Sequence, residues 1–127
     1  MDLNQVTLPS LDVATSIVLY QKLGLELIVR SLPHYARLEC PNGVSTLSVH
    51  EVESMPAGNT ASIYFECDKL DEKVDELVAK GINFDEMPAD RSWLWREARL
   101  KDPDGNKIIL FYGGENRKNP PWRVNEL

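Results

Sequence analysis

Histidine and cysteine, the side chains most often used for metal binding and nucleophilic chemistry, are scarce here: two of each in 127 residues. Cys40 and Cys67 form no CxxC pair and each sits in an apolar, strand-like stretch, so the expectation is two buried free thiols rather than a zinc or redox motif. His34 falls in a loop pattern and His50 in a strand pattern, and no Ser-His-Asp or Cys-His arrangement emerges from the spacing. Basic residues are outnumbered 14 to 20, for a net charge of −6. Nucleic acid is therefore not an expected partner, because phosphate binding needs clustered Lys and Arg. An acidic chain does remain compatible with a cationic ligand. No apolar run approaches the roughly 20 residues that cross a bilayer, so no membrane partner is expected. Met1-Asp2-Leu3-Asn4-Gln5 has no basic region followed by an apolar run, which makes the cytoplasm the expected location. With 43% apolar and 27% charged residues, the composition is that of one globular domain.

What the chain does contain is a repetition. Gln5-Val6-Thr7-Leu8 opens a strand pattern, a helix pattern runs through Tyr20, and Leu23-Gly24-Leu25 stops it. Ser62-Ile63-Tyr64-Phe65, a helix pattern through Val78 and Lys80-Gly81-Ile82 repeat that order. The glycines are 81 − 24 = 57 positions apart, and at this offset Val6 matches Ile63, Leu8 matches Phe65, Val13 matches Leu70 and Ile17 matches Val74. Cys40-Pro41-Asn42-Gly43 is echoed by Asp102-Pro103-Asp104-Gly105. We read repeat units at residues 4–53 and 60–113 and a C-terminal tail at 114–127.

Periodicity predicts the first unit as a strand at 4–9 ended by Pro9, a helix capped by Asp12 or Ser10, and strands at 25–30, 34–40 and 44–52. Ser54-Met55-Pro56-Ala57-Gly58-Asn59 is the expected linker. The second unit is predicted as a strand at 61–67, a helix at 69–80, and strands at 82–86, 93–101 and 107–112. Each unit is then βαβββ, and the fold class is α+β: two such units with curved mixed sheets enclosing a cleft, lined by the faces that the helices leave uncovered.

The strand Gln5–Pro9, the helix entry Asp12-Val13-Ala14-Thr15-Ser16, the stop at Leu23-Gly24-Leu25 and the turn Asp102-Pro103-Asp104-Gly105-Asn106 resemble the vicinal oxygen chelate superfamily over residues 4–113. That group includes glyoxalase I, bleomycin-resistance proteins, extradiol dioxygenases and fosfomycin-resistance enzymes. Its metal-dependent members place a His or Gln, a Glu, a His and a Glu on cleft-facing strands. Carried over, these positions fall on Gln5, on Ser48 (Leu47 if the turn offset is taken literally), on Ser62 and on Ile109. One potential ligand of four survives, too few to offset dehydration of a divalent ion, so no metal and no other cofactor is expected.

Strand alternation directs Gln5, Tyr35, Arg37, His50, Tyr64, Glu66, Trp93, Trp95, Glu97, Arg99 and Phe111 away from the helices as candidate ligand-binding residues. Aromatic and ionisable groups together suit a pocket with orienting polar contacts. Trp93 and Trp95, at i and i+2, are expected on one strand face, to stack on a flat or cationic ligand or to pack against Pro120-Pro121-Trp122-Arg123 or a second subunit. Trp122 is expected to anchor the tail. The leading expectation is a small-molecule-binding protein, a homodimer, holding an aromatic or cationic ligand in a metal-free cleft. The alternative is an enzyme of the same superfamily (a lyase, an isomerase or dioxygenase-like) with Glu66, Glu97 or His50 as acid or base.

Overall fold

The first helix of the computed structural model, α1 (Val13–Lys22), shows how local sequence sets this fold. Asp12 holds an extended backbone just ahead of it and accepts hydrogen bonds from the Thr15 amide at 3.3 Å and the Thr15 hydroxyl at 2.8 Å. That satisfies amides the helix itself cannot pair. Gly24, at φ 107°, lets the chain leave the helix, and the Leu25 amide folds back on the Tyr20 carbonyl at 3.1 Å. Helix α2 (Leu70–Ala79) ends in the same way at Gly81, φ 88°, with the Ile82 amide on Leu77.

The structure describes residues 1–58 and 61–125; Asn59 of the expected linker lies outside them. In chain order the strands are β1 (Gln5–Ser10), β2 (Glu26–Ser31), β3 (Tyr35–Glu39) and β4 (Thr46–Glu51), then β5 (Ser62–Glu66), β6 (Glu86–Asp90), β7 (Arg96–Lys101) and β8 (Lys107–Tyr112). They form two four-stranded mixed sheets, ordered β1-β4-β3-β2 and β5-β8-β7-β6. In each, the outer strand before the helix pairs in parallel with the last strand, and the other pairings are antiparallel. Compact unit 1 is Met1–Thr60 with Asp102–Asn106, and unit 2 is Ala61–Lys101 with Lys107–Leu127.

In unit 1, α1 packs on β2, β3 and β4, and its Val13, Ile17 and Tyr20 are buried with Ala36, Leu38, Leu47 and Val49 of the sheet. In unit 2, α2 packs on β6, β7 and β8, burying Leu70, Val74 and Leu77 with Ala98, Leu100, Ile108 and Leu110. Removing each Val, Leu or Ile side chain among these from water contributes roughly 1.5–3 kcal/mol, the dominant favourable term.

The Asp102–Asn106 turn, though it joins β7 to β8, is part of unit 1. The Asp102 carboxylate accepts from the Tyr20 hydroxyl at 2.7 Å, from the amides of Asp104 and Asn106 at 2.9 Å each, and from the Asn106 side chain at 2.8 Å. Asp104 accepts from the Leu11 amide at 2.7 Å and the Ser16 hydroxyl at 2.9 Å, while Asn106 donates to the Pro9 carbonyl. Ser16 and Ser10 hydroxyls meet at 3.0 Å. The turn motif is thus a buried polar plug that ties the entry of α1 and the end of β1, with nearly every donor matched.

Several expectations need correction. β1 runs through Pro9 to Ser10, because an outer strand needs no ladder amide from every residue. The sixth strand is Glu86–Asp90 rather than 82–86, its register shifting between Glu86 and Ala89. The seventh starts at Arg96, so Trp93 and Trp95 lie in the β6–β7 hairpin tip, where Arg91 and Trp95 close the loop at 2.8 Å and Leu94 takes φ 67°. Trp122, expected to anchor the tail, is 57% exposed, and a 3-10 turn at Gly114–Arg117 begins the tail. Both thiols are free but only half-buried, and burial pushes each above the ordinary thiol range.

Candidate functional site

Pleating sends alternate residues of each strand to the face opposite its helix. On unit 1 that face carries Gln5, Tyr35, Arg37, Ser48 and His50, as the pairings Arg37 with Ser48 and Tyr35 with His50 require. The Gln5 side-chain amide donates to the Ser48 hydroxyl at 2.7 Å, its carbonyl is met by the Thr46 hydroxyl, and Ser48 and Tyr35 hydroxyls meet at 2.6 Å. The Arg37 Nε donates to the Tyr35 oxygen at 3.0 Å, its guanidinium carbon 5.6 Å from the ring centre. Ser48 rather than Leu47 is therefore the neighbour of Gln5: Leu47 is buried on the α1 side. His50 is exposed, with its ring nitrogen 3.3 Å from the Glu51 carbonyl, and His34 pairs with the Glu51 carboxylate at 3.1 Å. Neither histidine is joined to the polar chain.

On unit 2 the same face is aromatic. Trp95 stacks on Phe111 with centroids 4.6 Å apart and planes 24° from parallel; Tyr64 meets both rings edge-on, at 6.0 Å and 5.6 Å. The register explains the cluster: Tyr64 lies opposite Ile109, and Glu66 and Glu97 lie opposite Phe111. Beside it Glu97 is fully buried, one oxygen accepting from the Trp93 indole N–H at 2.7 Å, the other from Arg99 at 3.0 Å. Arg91 approaches that second oxygen at 3.8 Å, and Glu86 bridges Arg91 and Arg99 at 3.2 Å and 3.1 Å. Two carboxylates and two guanidiniums offset one another, and the Glu97 hydrogen bond holds Arg99 above its ordinary range.

Glu66 is also committed. Its Oε2 accepts the amides of Gly113 and Gly114 at 3.0 Å each, and its other oxygen lies 3.5 Å from Arg117. With the Trp95 indole N–H on the Asn116 carbonyl at 3.1 Å, it fastens the start of the tail. Both Glu66 and Glu97 carry hydrogen-bond donors on their carboxylates. The sequence reading missed Arg91, Glu86 and Asn116, because the hairpin tip was read as strand and no periodicity marks a tail carbonyl.

A cavity of about 290 Å³ lies at the start of α2, lined by Asp68, Lys69, Leu70, Asp71, Glu72, Arg96 and Tyr112. None of the predicted site residues line it. Arg96 there is engaged by Asp71 at 3.1 Å and Asp90 at 3.0 Å.

The positions where related folds hold a metal do not form a metal site. Gln5 spends its amide on Ser48 and Thr46, Ile109 has no donor atom, and Ser48 and Ser62 offer neutral hydroxyls. Among the described residues no group of three or more His, Cys, Asp or Glu side chains is placed to hold a metal ion. No helix there is long and apolar enough to cross a membrane.

Duplicated βαβββ units with mixed sheets and a helix-free polar or aromatic face define the class: an α+β protein of the glyoxalase and bleomycin-resistance architecture. Residues 2–110 match the model of the Glyoxalase/Bleomycin resistance protein/Dioxygenase superfamily, and the chain belongs to that family. A glyoxalase/bleomycin resistance protein/dioxygenase from Nocardioides superimposes with TM-score 0.77 at 25% identity, covering 98% of this chain and 90% of that one. Lactoylglutathione lyase from Agrobacterium tumefaciens gives 0.73 at 19% identity, with 88% and 93% covered. A bleomycin resistance determinant encoded on the transposon Tn5 gives 0.74 at 22%, with 88% and 98% covered. A search of curated proteins found no match.

Proposed function

We propose that this chain is a metal-free small-molecule-binding protein that takes a flat aromatic ligand on the helix-free face of unit 2. The observation that carries the reading is the aromatic cluster: Tyr64 stays 46% exposed at the edge of the stacked Trp95–Phe111 pair, and Trp93, held by Glu97, is 40% exposed. Large aromatic side chains left in water beside a preformed apolar surface are costly unless something covers them. Of the two ligand chemistries expected from the sequence, aromatic is favoured over cationic. The carboxylates on this face are already matched by Arg91, Arg99, Arg117 and backbone amides, so they leave no uncompensated negative charge for a cation. One solved structure of this fold is a bleomycin-binding protein complexed with bleomycin, which accords with a binding role without chemistry. The working assembly is a homodimer in the cytoplasm, the dimer to be read by sedimentation.

Tryptophan fluorescence with a panel of planar aromatic compounds tests this. Saturable quenching that is lost in Tyr64→Ala and Trp93→Ala, and retained in Trp122→Phe, is the expected result. No saturable quenching by any member, or quenching untouched by both substitutions, defeats the reading.

A further inference from the structure

The polar chain on unit 1 has a direction, and its direction specifies a ligand group. The side-chain nitrogen of Gln5 lies 3.2 Å from the Val6 carbonyl and 2.7 Å from the Ser48 hydroxyl. Only the NH2 end of an amide tolerates a carbonyl oxygen at that distance, so Gln5 donates to Ser48 and cannot accept from it. Ser48 is fully buried, and among the described residues the acceptor left for its own proton is the Tyr35 oxygen at 2.6 Å. The Tyr35 oxygen also accepts from Arg37 Nε at 3.0 Å. With both acceptor positions filled, the Tyr35 proton points away from Ser48 and Arg37. A hydroxyl that accepts from a guanidinium and from a second hydroxyl is a strengthened donor.

Arg37 supplies the second half of the site. It is exposed, and among the described residues it makes no ion pair; Glu39, two residues along the same face, does not reach it. Its Nε is spent on Tyr35, which holds the remaining guanidinium donors beside the Tyr35 hydroxyl. In a chain of net charge −6, a guanidinium with no ion pair among the described residues, aligned with a polarised hydroxyl, is a local positive feature.

We propose that Tyr35 and Arg37 form a receiving site for a carboxylate, so that the ligand is an organic acid, with Ser48 and Gln5 as positioning residues that turn the Tyr35 proton away from Ser48 and Arg37. This rests on the reading of the chain as a small-molecule binder and assigns to unit 1, taken by itself, the binding of a carboxylate group.

The test titrates isotopically labelled protein with benzoate and, separately, with benzamide, which has the same ring without the charge. The Arg37 Nε–Hε resonance reports unit 1, and the Trp93 and Trp95 indole N–H resonances report unit 2. Expected are movement of the Arg37 signal with benzoate, affinity for benzoate at least about tenfold above benzamide, and loss of about that factor in Tyr35→Phe and in Arg37→Gln. Benzamide affinity stays unchanged in both variants. Ser48→Ala, which removes the hydroxyl that donates to Tyr35 and so weakens Tyr35 as a donor, lowers the benzoate preference although neither contacting group is touched. Where Tyr35→Phe folds poorly, the surface variant Arg37→Gln gives the same readout. Equal affinities for the two probes, or a silent Arg37 resonance, overturn the inference; indole signals that respond to both probes alike then leave the aromatic reading standing. Silent indoles with a benzoate-selective Arg37 response sink the aromatic reading and keep this one.

Discussion

Replacing Tyr20 with phenylalanine removes one oxygen from the most enclosed polar contact in unit 1. Tyr20 is fully buried, and its hydroxyl donates to Asp102 at 2.7 Å; Asp102 is itself 4% exposed and keeps three other donors. A hydrogen bond to a charged group contributes about 2 kcal/mol, and the lost oxygen brings no new apolar contact. For 127 residues the unfolding entropy is about 0.27 kcal/mol/K, so the melting temperature should fall by about 7 °C. Urea denaturation measures the free energy directly. The loss also carries a pH signature. Burial first, and then the charge of Asp102, push the Tyr20 hydroxyl far above the ordinary tyrosine value of about 10. Below that pH both folded and unfolded states keep the proton, and the contribution is fully present. Above it the unfolded chain ionises while folded Tyr20 does not, so the contribution is lost as pH rises, at about 1.4 kcal/mol per unit. The gap between wild type and Tyr20→Phe should shrink from about 2 kcal/mol near neutrality to about 0.6 kcal/mol at about pH 11. A gap that stays constant to that pH, or one below about 0.5 kcal/mol at neutrality, would refute the plug as described.

Leu94→Gly at the hairpin tip should stabilise the fold by about 0.5–1 kcal/mol in the same assay, since leucine at φ 67° carries backbone strain that exceeds the extra chain entropy of glycine. A loss would mean that the half-exposed Leu94 side chain packs more than its 49% exposure indicates. Glu97→Gln should cost about 1.5 kcal/mol, because it removes the buried charge that Arg91 and Arg99 share with Glu86, and should shift Trp93 fluorescence by replacing the charged acceptor of its indole N–H with a neutral one. Thermal scans unchanged by that substitution would remove the charged quartet as a structural element. Asp12, held below the ordinary carboxylate range by its hydrogen bonds to Thr15, stabilises α1 above the usual carboxylate pKa and loses that effect as the pH falls through its folded value. Asp12→Ala should therefore flatten the acid limb of the stability curve, and an unchanged limb would exclude the cap as its source.

The repeat was legible because it is written in local chemistry. Glycines after Leu23 and Lys80 are needed where the helix exits turn to positive φ, and Ala36, Leu38, Leu47 and Val49 alternate because one sheet face is buried. The same alternation assigned Gln5, Tyr35, Arg37, Tyr64, Glu97, Arg99 and Phe111 to the helix-free faces without knowledge of the pairing. It failed at the β6–β7 hairpin: Trp93-Leu94-Trp95 alternates as a strand does, yet Arg91 and Trp95 close a loop around it. Two local readings compete there, and the partner strand decides between them.

Which polar groups remain free could not be read from the chain. Glu66 and Glu97 look alike in sequence as strand carboxylates, but one caps Gly113 and Gly114 and the other is enclosed by Trp93, Arg91 and Arg99. The Asp102-Pro103-Asp104-Gly105-Asn106 turn is visible as a turn from its residues alone, whereas its role as the plug under α1 rests on Tyr20, 82 positions away. By itself the sequence determined the order of helices and strands and most of their buried faces, because those follow from residue type and from spacings of two to four. Tertiary structure alone decided which carboxylates are spent and that Arg37 turns its Nε onto Tyr35 rather than onto a carboxylate, because such partners come together only when strands and loops fold into contact.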